Sequence, residues 1–270
     1  MPDALSPERV LYLKRQRRTR QRVRLAQTAL LALLFLSWEI AARRGHIDAF
    51  IMSSPSRMAA TLARLSAEGD LWRHVLASTG ETVVGFLLGT LLGTFLAVLL
   101  WWSPTAARIA DPYLVVLGAL PKTALGPVFI VWMGAGRGAI IAMTLAISLI
   151  VTVMEVYNGF MATEEGKLRL LRTLGADRGQ IFFHLVLPAN LPTLVNALKV
   201  NVGLSWVGVI MGEFLVSKEG LGYLIVYGSQ VFQMDLVMTT VLILAALAAL
   251  MYACVLLAEK ALKNYLGVSV

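Results

Sequence analysis

The chain has 270 residues, 58% of them hydrophobic and 15% charged, with a mean hydropathy of +0.73. A soluble domain carries about a quarter charged residues, so this composition excludes an ordinary soluble fold and points to a polytopic membrane protein. The single cysteine, Cys254, excludes an intrachain disulfide. The net charge of +8 is localised: Arg9, Lys14, Arg15, Arg17, Arg18, Arg20, Arg22 and Arg24 precede the first apolar run. Placed there, they hold the N-terminus in the cytoplasm and touch anionic membrane lipid. No aromatic-basic module follows, so no nucleic-acid partner is expected.

Leu25 to Ala42 reads as a first span and an uncleaved anchor, because Ala41-Ala42-Arg43-Arg44 is a poor cleavage site. Residues 43–80 form a polar segment with an amphipathic stretch from Arg57 to Leu65. Thr82 to Trp102 is the second span. Its Gly85, Gly89 and Gly93 make a small-residue stripe, either for packing within the chain or for a seam with a second copy. Tyr113 to Met133 is the third span, broken by Pro121 and Pro127. Backbone carbonyls freed there are tolerated only where protein or a water-lined cavity satisfies them, and Lys122 strengthens the case for an interior face. Ala139 to Tyr157 is the fourth span, Leu194 to Val216 the fifth and Leu236 to Leu257 the sixth. The expected fold class is all-α, with six transmembrane helices. The chain divides into a basic tail (1–24), a permease-like body (25–257) and a short tail (258–270). Segments on the side of the two termini hold 15 Lys and Arg, against 7 on the other side, which places both termini in the cytoplasm.

Between the fourth and fifth spans lies a polar island, Thr163 to Pro192. Thr163 is a candidate cap for a helix with Glu164 and Glu165 in its first turn. Gly175 is expected to end that helix in a left-handed conformation. Asp177 then caps a second helix, with Gln180 as its capping-box partner, and this helix stops before Pro188. The pattern is helix, tight corner, helix: a rigid knob on the cytoplasmic side.

Leu170-Leu171-Arg172-Thr173-Leu174-Gly175-Ala176, followed by Leu185-Val186-Leu187-Pro188, resembles the EAA loop of ABC-transporter permeases. That pattern is Glu-Ala-Ala, three residues, Gly, nine residues, then Ile-x-Leu-Pro. The Gly and Leu-Pro spacing is kept, while Arg169-Leu170-Leu171 replaces the triplet. Gly220-Leu221-Gly222-Tyr223, Pro121 and the run from Pro127 to Gly134 extend the resemblance to importer permeases of the nitrate/sulfonate/taurine type, over roughly residues 50 to 260. The resemblance implies an inner-membrane permease subunit of an ATP-driven importer in a bacterial cell. It further implies a homodimer of this chain, two cytoplasmic ATPase subunits that bind ATP and Mg, and an extracytoplasmic substrate-binding protein. The coupling loop would comprise Arg169, Leu170, Leu171, Arg172, Gly175, Ala176, Asp177, Arg178, Phe182, Leu187 and Pro188. Arg172, Arg178 and Phe182 would belong to its docking surface, with packing onto the chain's own helices as the alternative for Phe182. The solute would be a sulfonate-, taurine- or nitrate-like anion, or a heterocycle of the vitamin-precursor kind.

No GxxxxGK[ST] loop, HExxH or GxSxG motif occurs, so no catalytic residue, metal site or cofactor is expected in this chain. An intramembrane enzyme therefore lacks its signature, whereas a secondary carrier or channel working without ATP stays open as the alternative. Glu39, Glu81, Lys122, Glu155, Lys199 and Glu213 are ionisable groups in or near spans. A charge at mid-bilayer costs ~2.5–3.5 kcal/mol on insertion scales and must face a partner or water. Pro121, Lys122, Pro127, Trp206 and Glu213 are the candidate translocation-path residues, with polar packing between spans as the alternative for Lys122 and Glu213.

Overall fold

The computed structural model describes residues 7–265, so residues 1–6 of the basic tail and 266–270 of the C-terminal tail lie outside the described residues. Among the described residues every regular element is helical. In chain order they are α1 (Pro7–Arg43), α2 (Ala49–Met52), α3 (Pro55–Glu68), α4 (Asp70–Trp102) and α5 (Pro104–Ala119). A 3-10 turn (Lys122–Leu125) leads to α6 (Gly126–Met133), α7 (Arg137–Met161), α8 (Glu165–Thr173) and α9 (Arg178–Ile181). A π-helical turn (Phe182–Val186) then leads to α10 (Leu187–Ala189), α11 (Leu191–Val216), α12 (Leu221–Gln230) and α13 (Met234–Tyr265). Among the described residues five helices are long and apolar enough to cross a membrane. The pair α5 and 3-10 turn plus α6, bent by 90°, supplies the sixth crossing as one broken span.

The boundaries differ from the sequence reading in three places. The basic segment from residue 7 onward continues helically into the first span, so α1 is one rod. The second span begins at Asp70, twelve residues before Thr82, and so contains His74 and Glu81. Its outer turns read as polar because His74, Ser78 and Glu81 are polar residues buried against other helices. The third span starts at Pro104, capped by Ser103, whose Oγ accepts from Ala106 N at 3.2 Å.

α4, α7 and α11 form the core of the bundle. Gly85, Gly89 and Gly93 of α4 face Thr144, Ser148 and Thr152 of α7, so a Cβ at any of the three would collide with those side chains. The stripe therefore serves packing within the chain. The α7 hydroxyls donate to the carbonyls one turn back, at 2.8–2.9 Å, so close approach leaves no unmet donor among them. From the other side, Gly208 and Gly212 of α11 press on the backbone of α7 at Thr144 and Ile140. Asn201 of α11 then donates to Thr152 Oγ1 at 2.6 Å and to Thr90 Oγ1 at 3.0 Å, tying all three helices. α1 packs loosely on α3, where Glu39 accepts from Ser56 N at 3.0 Å and pairs with Arg43 at 2.6 Å.

Candidate functional site

The knob is built as its residues dictate. Gly175 has φ +82, a conformation that costs an L side chain energy. It closes a Schellman motif: Ala176 N donates to Leu171 O at 3.0 Å and Gly175 N to Arg172 O at 3.0 Å. Asp177 and Gln180 form the reciprocal capping box, at 2.8 and 2.9 Å. Thr163 does not cap α8. Glu164 occupies the cap position without a side-chain bond, and Thr163 Oγ1 accepts from Asn190 Nδ2 at 2.9 Å, closing the base of the knob. The second helix does not stop before Pro188 but runs through the π turn into α10. Proline lacks the N–H that would bond His184 O and its ring crowds that carbonyl, so the ladder widens instead of ending.

The root of the knob is aromatic. Phe182 is only 4% exposed, with ring centroids of Trp101, Phe160 and Trp102 at 5.1, 5.6 and 6.0 Å. Of the two readings open for Phe182, this burial matches packing onto the chain's own helices rather than a place on the docking surface. Leu171, Ala176 and Leu187 pack on the same cluster. Arg178 Nη1 donates to Trp102 O at 2.8 Å, anchoring the corner to the end of α4. Facing outward are Arg169, Leu170, Arg172, Gly175, Asp177 and Arg178, together with Pro188. Leu170 is 59% exposed and Leu174 74%, and Phe183 is exposed beside them. Leu174 and Phe183 were missed by sequence reasoning. Leu174 stands at the end of α8 and Phe183 in the π-helical turn, and their signal was an apolar side chain within an otherwise polar island.

Away from the knob, along the helices, the expected path residues separate. Pro121, Lys122 and Pro127 sit at the broken span, where Lys122 Nζ donates to Gly118 O at 2.6 Å and closes the frayed end of α5. Glu213 and Trp206 lie in the interior instead, Glu213 at 1% exposure and Trp206 within the apolar core. Glu213 thus faces the protein interior, as expected, and its contacts are those of polar packing between helices, while Lys122 lies apart from it at the broken span. Glu213 accepts from Ser78 Oγ and from Gly222 N, both at 2.5 Å. Two further N–H groups of the same turn are held by α4: Gly220 N by His74 Nδ1 at 2.9 Å and Leu221 N by Ser78 Oγ at 2.7 Å. Gly220 and Gly222 have no room for a Cβ because the Glu213 side chain lies against them.

Beside this clasp, Glu219 pairs with Arg137 at 2.8 Å and Arg73 at 3.1 Å, and Arg137 reaches Glu81 at 3.6 Å. The hydrogen bonds from Arg137 and Arg73 hold the Glu219 carboxyl below the usual carboxylate range. These four residues line a cavity of about 490 Å³ between α4 and α7. The remaining ionisable candidates are also partnered: Lys199 with Glu259 at 2.7 Å, and Glu155 with Asn196 Nδ2 at 2.7 Å. Among the described residues no cluster of His, Cys, Asp or Glu could hold a metal ion.

Comparison with known proteins bears on both ends. Residues 89–265, which include the knob and the clasp segment, match the family described as binding-protein-dependent transport system inner membrane component. The chain is 30% identical over 233 residues to a probable ABC transporter permease protein of Haemophilus influenzae, covering 86% of this chain and 94% of that one. It is 30% identical over 199 residues to the formylaminopyrimidine transport permease protein of Halalkalibacterium halodurans, covering 74% and 79%. It is 26% identical over 234 residues to a putative aliphatic sulfonates transport permease protein of Bacillus subtilis, covering 87% and 85%. A chain of the MetNI methionine ABC transporter, in an inward facing conformation, superposes with a TM-score of 0.62 at 23% identity, over 71% of this chain and 95% of that chain. That likeness shows the fold.

Proposed function

This chain belongs to the binding-protein-dependent transport system inner membrane components, the permease subunits of ABC importers, and from that premise we propose how it works. Two copies form the path. Each seats its knob, residues 163–192, in a groove of a cytoplasmic ATPase subunit that binds ATP and Mg. An extracytoplasmic binding protein delivers solute to the far end. ATP closes the ATPase pair, the knobs are carried together, and the two permease halves rock between inward-open and outward-open states. Coupling needs only that the two states seat the knobs differently, which biases a two-state equilibrium.

The observation that carries this reading is the division of the knob into a buried aromatic root and an exposed rim. Phe182, Trp101 and Phe160 fix the root to the spans, while Leu170, Arg172 and Leu174 stand free. Force on the rim then reaches the spans without a hinge between them. The chain carries no phosphate-binding loop, so ATP hydrolysis belongs to the partner. The solute is a small anion of the sulfonate, taurine or nitrate kind or a vitamin-precursor-like heterocycle; the names of the relatives give the sulfonate, taurine and formylaminopyrimidine members of that set. Both termini lie in the cytoplasm, on the knob side.

The test is co-purification of the tagged chain from its native host in mild detergent. A stoichiometric Walker-type ATPase is expected. A chain that purifies alone and moves solute in liposomes without ATP overturns the reading in favour of a secondary carrier or channel.

A further inference from the structure

The knob and the clasp lie at opposite ends of the same helix. α4 is unbroken over 33 residues, about 50 Å at 1.5 Å per residue. Its first turns supply Arg73, His74 and Ser78 to the 217–222 segment, and Glu81 to Arg137 beside it. Its last turn supplies Trp101 and Trp102 to the knob, including the carbonyl that accepts from Arg178. α7 parallels it, with Arg137 in the ion-pair cluster at one end and Phe160 against Phe182 at the other. Between the ends the two helices interlock, glycine against hydroxyl, at Gly85–Thr144, Gly89–Ser148 and Gly93–Thr152. Sliding one helix along the other would drive Cβ-bearing side chains into the space the glycines leave, so the pair behaves as one strut.

The clasp is expensive to build. A buried carboxylate is desolvated, and it is compensated here by hydrogen bonds from a serine and a backbone amide. Three successive N–H groups at the start of α12 are each taken by a side chain from α4 or α11, which leaves the segment no freedom to move apart from those helices. An isolated helix start would be satisfied by water. We infer that Glu213, Ser78 and His74 are positioning residues of transport: they lock the outer 217–222 segment onto the α4–α7 strut, so that movement of that segment and movement of the knob are one event. This rests on the importer reading and names the contact through which the two faces of the membrane communicate.

The experiment places a fluorophore at Lys218→Cys, an exposed position on the segment, in a Cys254→Ser background, within the complex of this chain and its co-purified ATPase. ATP with vanadate, which acts at the knob side, is expected to change the label's emission. In Ser78→Ala the change is lost or reduced by about fivefold or more, the lower end of ordinary allosteric couplings, while the ATP hydrolysis rate stays at its parent value. Ser78→Ala removes the acceptor of Leu221 N and the donor to Glu213 without adding volume. Should it fail to assemble, Glu213→Gln carries the same measurement. A second arm bridges Arg73→Cys to Glu219→Cys with a bismaleimide, and bridging is expected to leave ATP hydrolysis as it was before the bridge. An unaltered emission change in Ser78→Ala, a label that never responds, or arrest of hydrolysis on bridging overturns the inference. Absence of any co-purified ATPase instead defeats the importer reading itself.

Discussion

Gly208 and Gly203 sit five residues apart on α11 and have opposite surroundings. A Cβ at Gly208 would meet the α7 backbone at Thr144 Cα, which cannot retreat as a side-chain tip can. A Cβ at Gly203 meets nothing within 4 Å. Gly208→Ala is therefore expected to cost about 1–3 kcal/mol as overpacking, read as a lower midpoint of thermal unfolding by tryptophan fluorescence. Gly203→Ala should leave the midpoint unchanged or raise it slightly, since Ala is the better helix former. A midpoint unchanged or raised at both positions would mean that helix propensity rather than α7 contact governs this face.

The knob and the outer segment illustrate what an element contributes beyond its residues. Phe182→Ala empties the aromatic root and is expected to lower stability by about 3–5 kcal/mol, the usual range for a buried phenylalanine. Leu174→Ala touches only an exposed rim residue and should leave the unfolding midpoint in place while reducing ATPase retention in a pull-down. The reverse pattern would relocate the docking surface. In the outer segment, Glu219 has its folded-state pKa lowered by Arg137 and Arg73. Its contribution is complete above the unfolded value, about 4.3, and disappears as pH falls through the folded one. Glu219→Gln should thus be less stable than the parent at neutral pH, and the difference should close only in strong acid. A difference that persists there would show that shape, not charge, explains the loss.

At the scale of the whole molecule, the broken third span leaves six crossings, with the knob on one side and the 217–222 segment on the other. In intact cells a membrane-impermeant thiol reagent that crosses the outer envelope should label Lys218→Cys and spare Arg172→Cys until the membrane is opened, both in a Cys254→Ser background. The opposite pattern would invert the topology. α1 stands apart from this frame: it lies outside the 89–265 family match and packs loosely on α3. It takes no part in the α4–α7–α11 core.

The knob was legible in the sequence because its signals are local. A glycine at a helix C-terminus and an Asp-x-x-Gln box act within a few residues, and both operate where they were expected. Six apolar runs likewise announced the spans, since each must cross the same thickness of hydrocarbon. The glycine stripe announced a close contact but not its partner, because the hydroxyls that fill it lie some sixty residues away on α7. Phe182 and Glu213 were each left with two readings by the sequence for the same reason. An aromatic ring on a polar loop and a carboxylate in an apolar helix each look available until Trp101 and Phe160, or Ser78 and the Gly220–Gly222 turn, close over them. Local hydrogen bonding and hydrophobic length thus determined the elements and the family pattern, while only the tertiary contacts decided which polar and aromatic side chains are buried and which remain for partners.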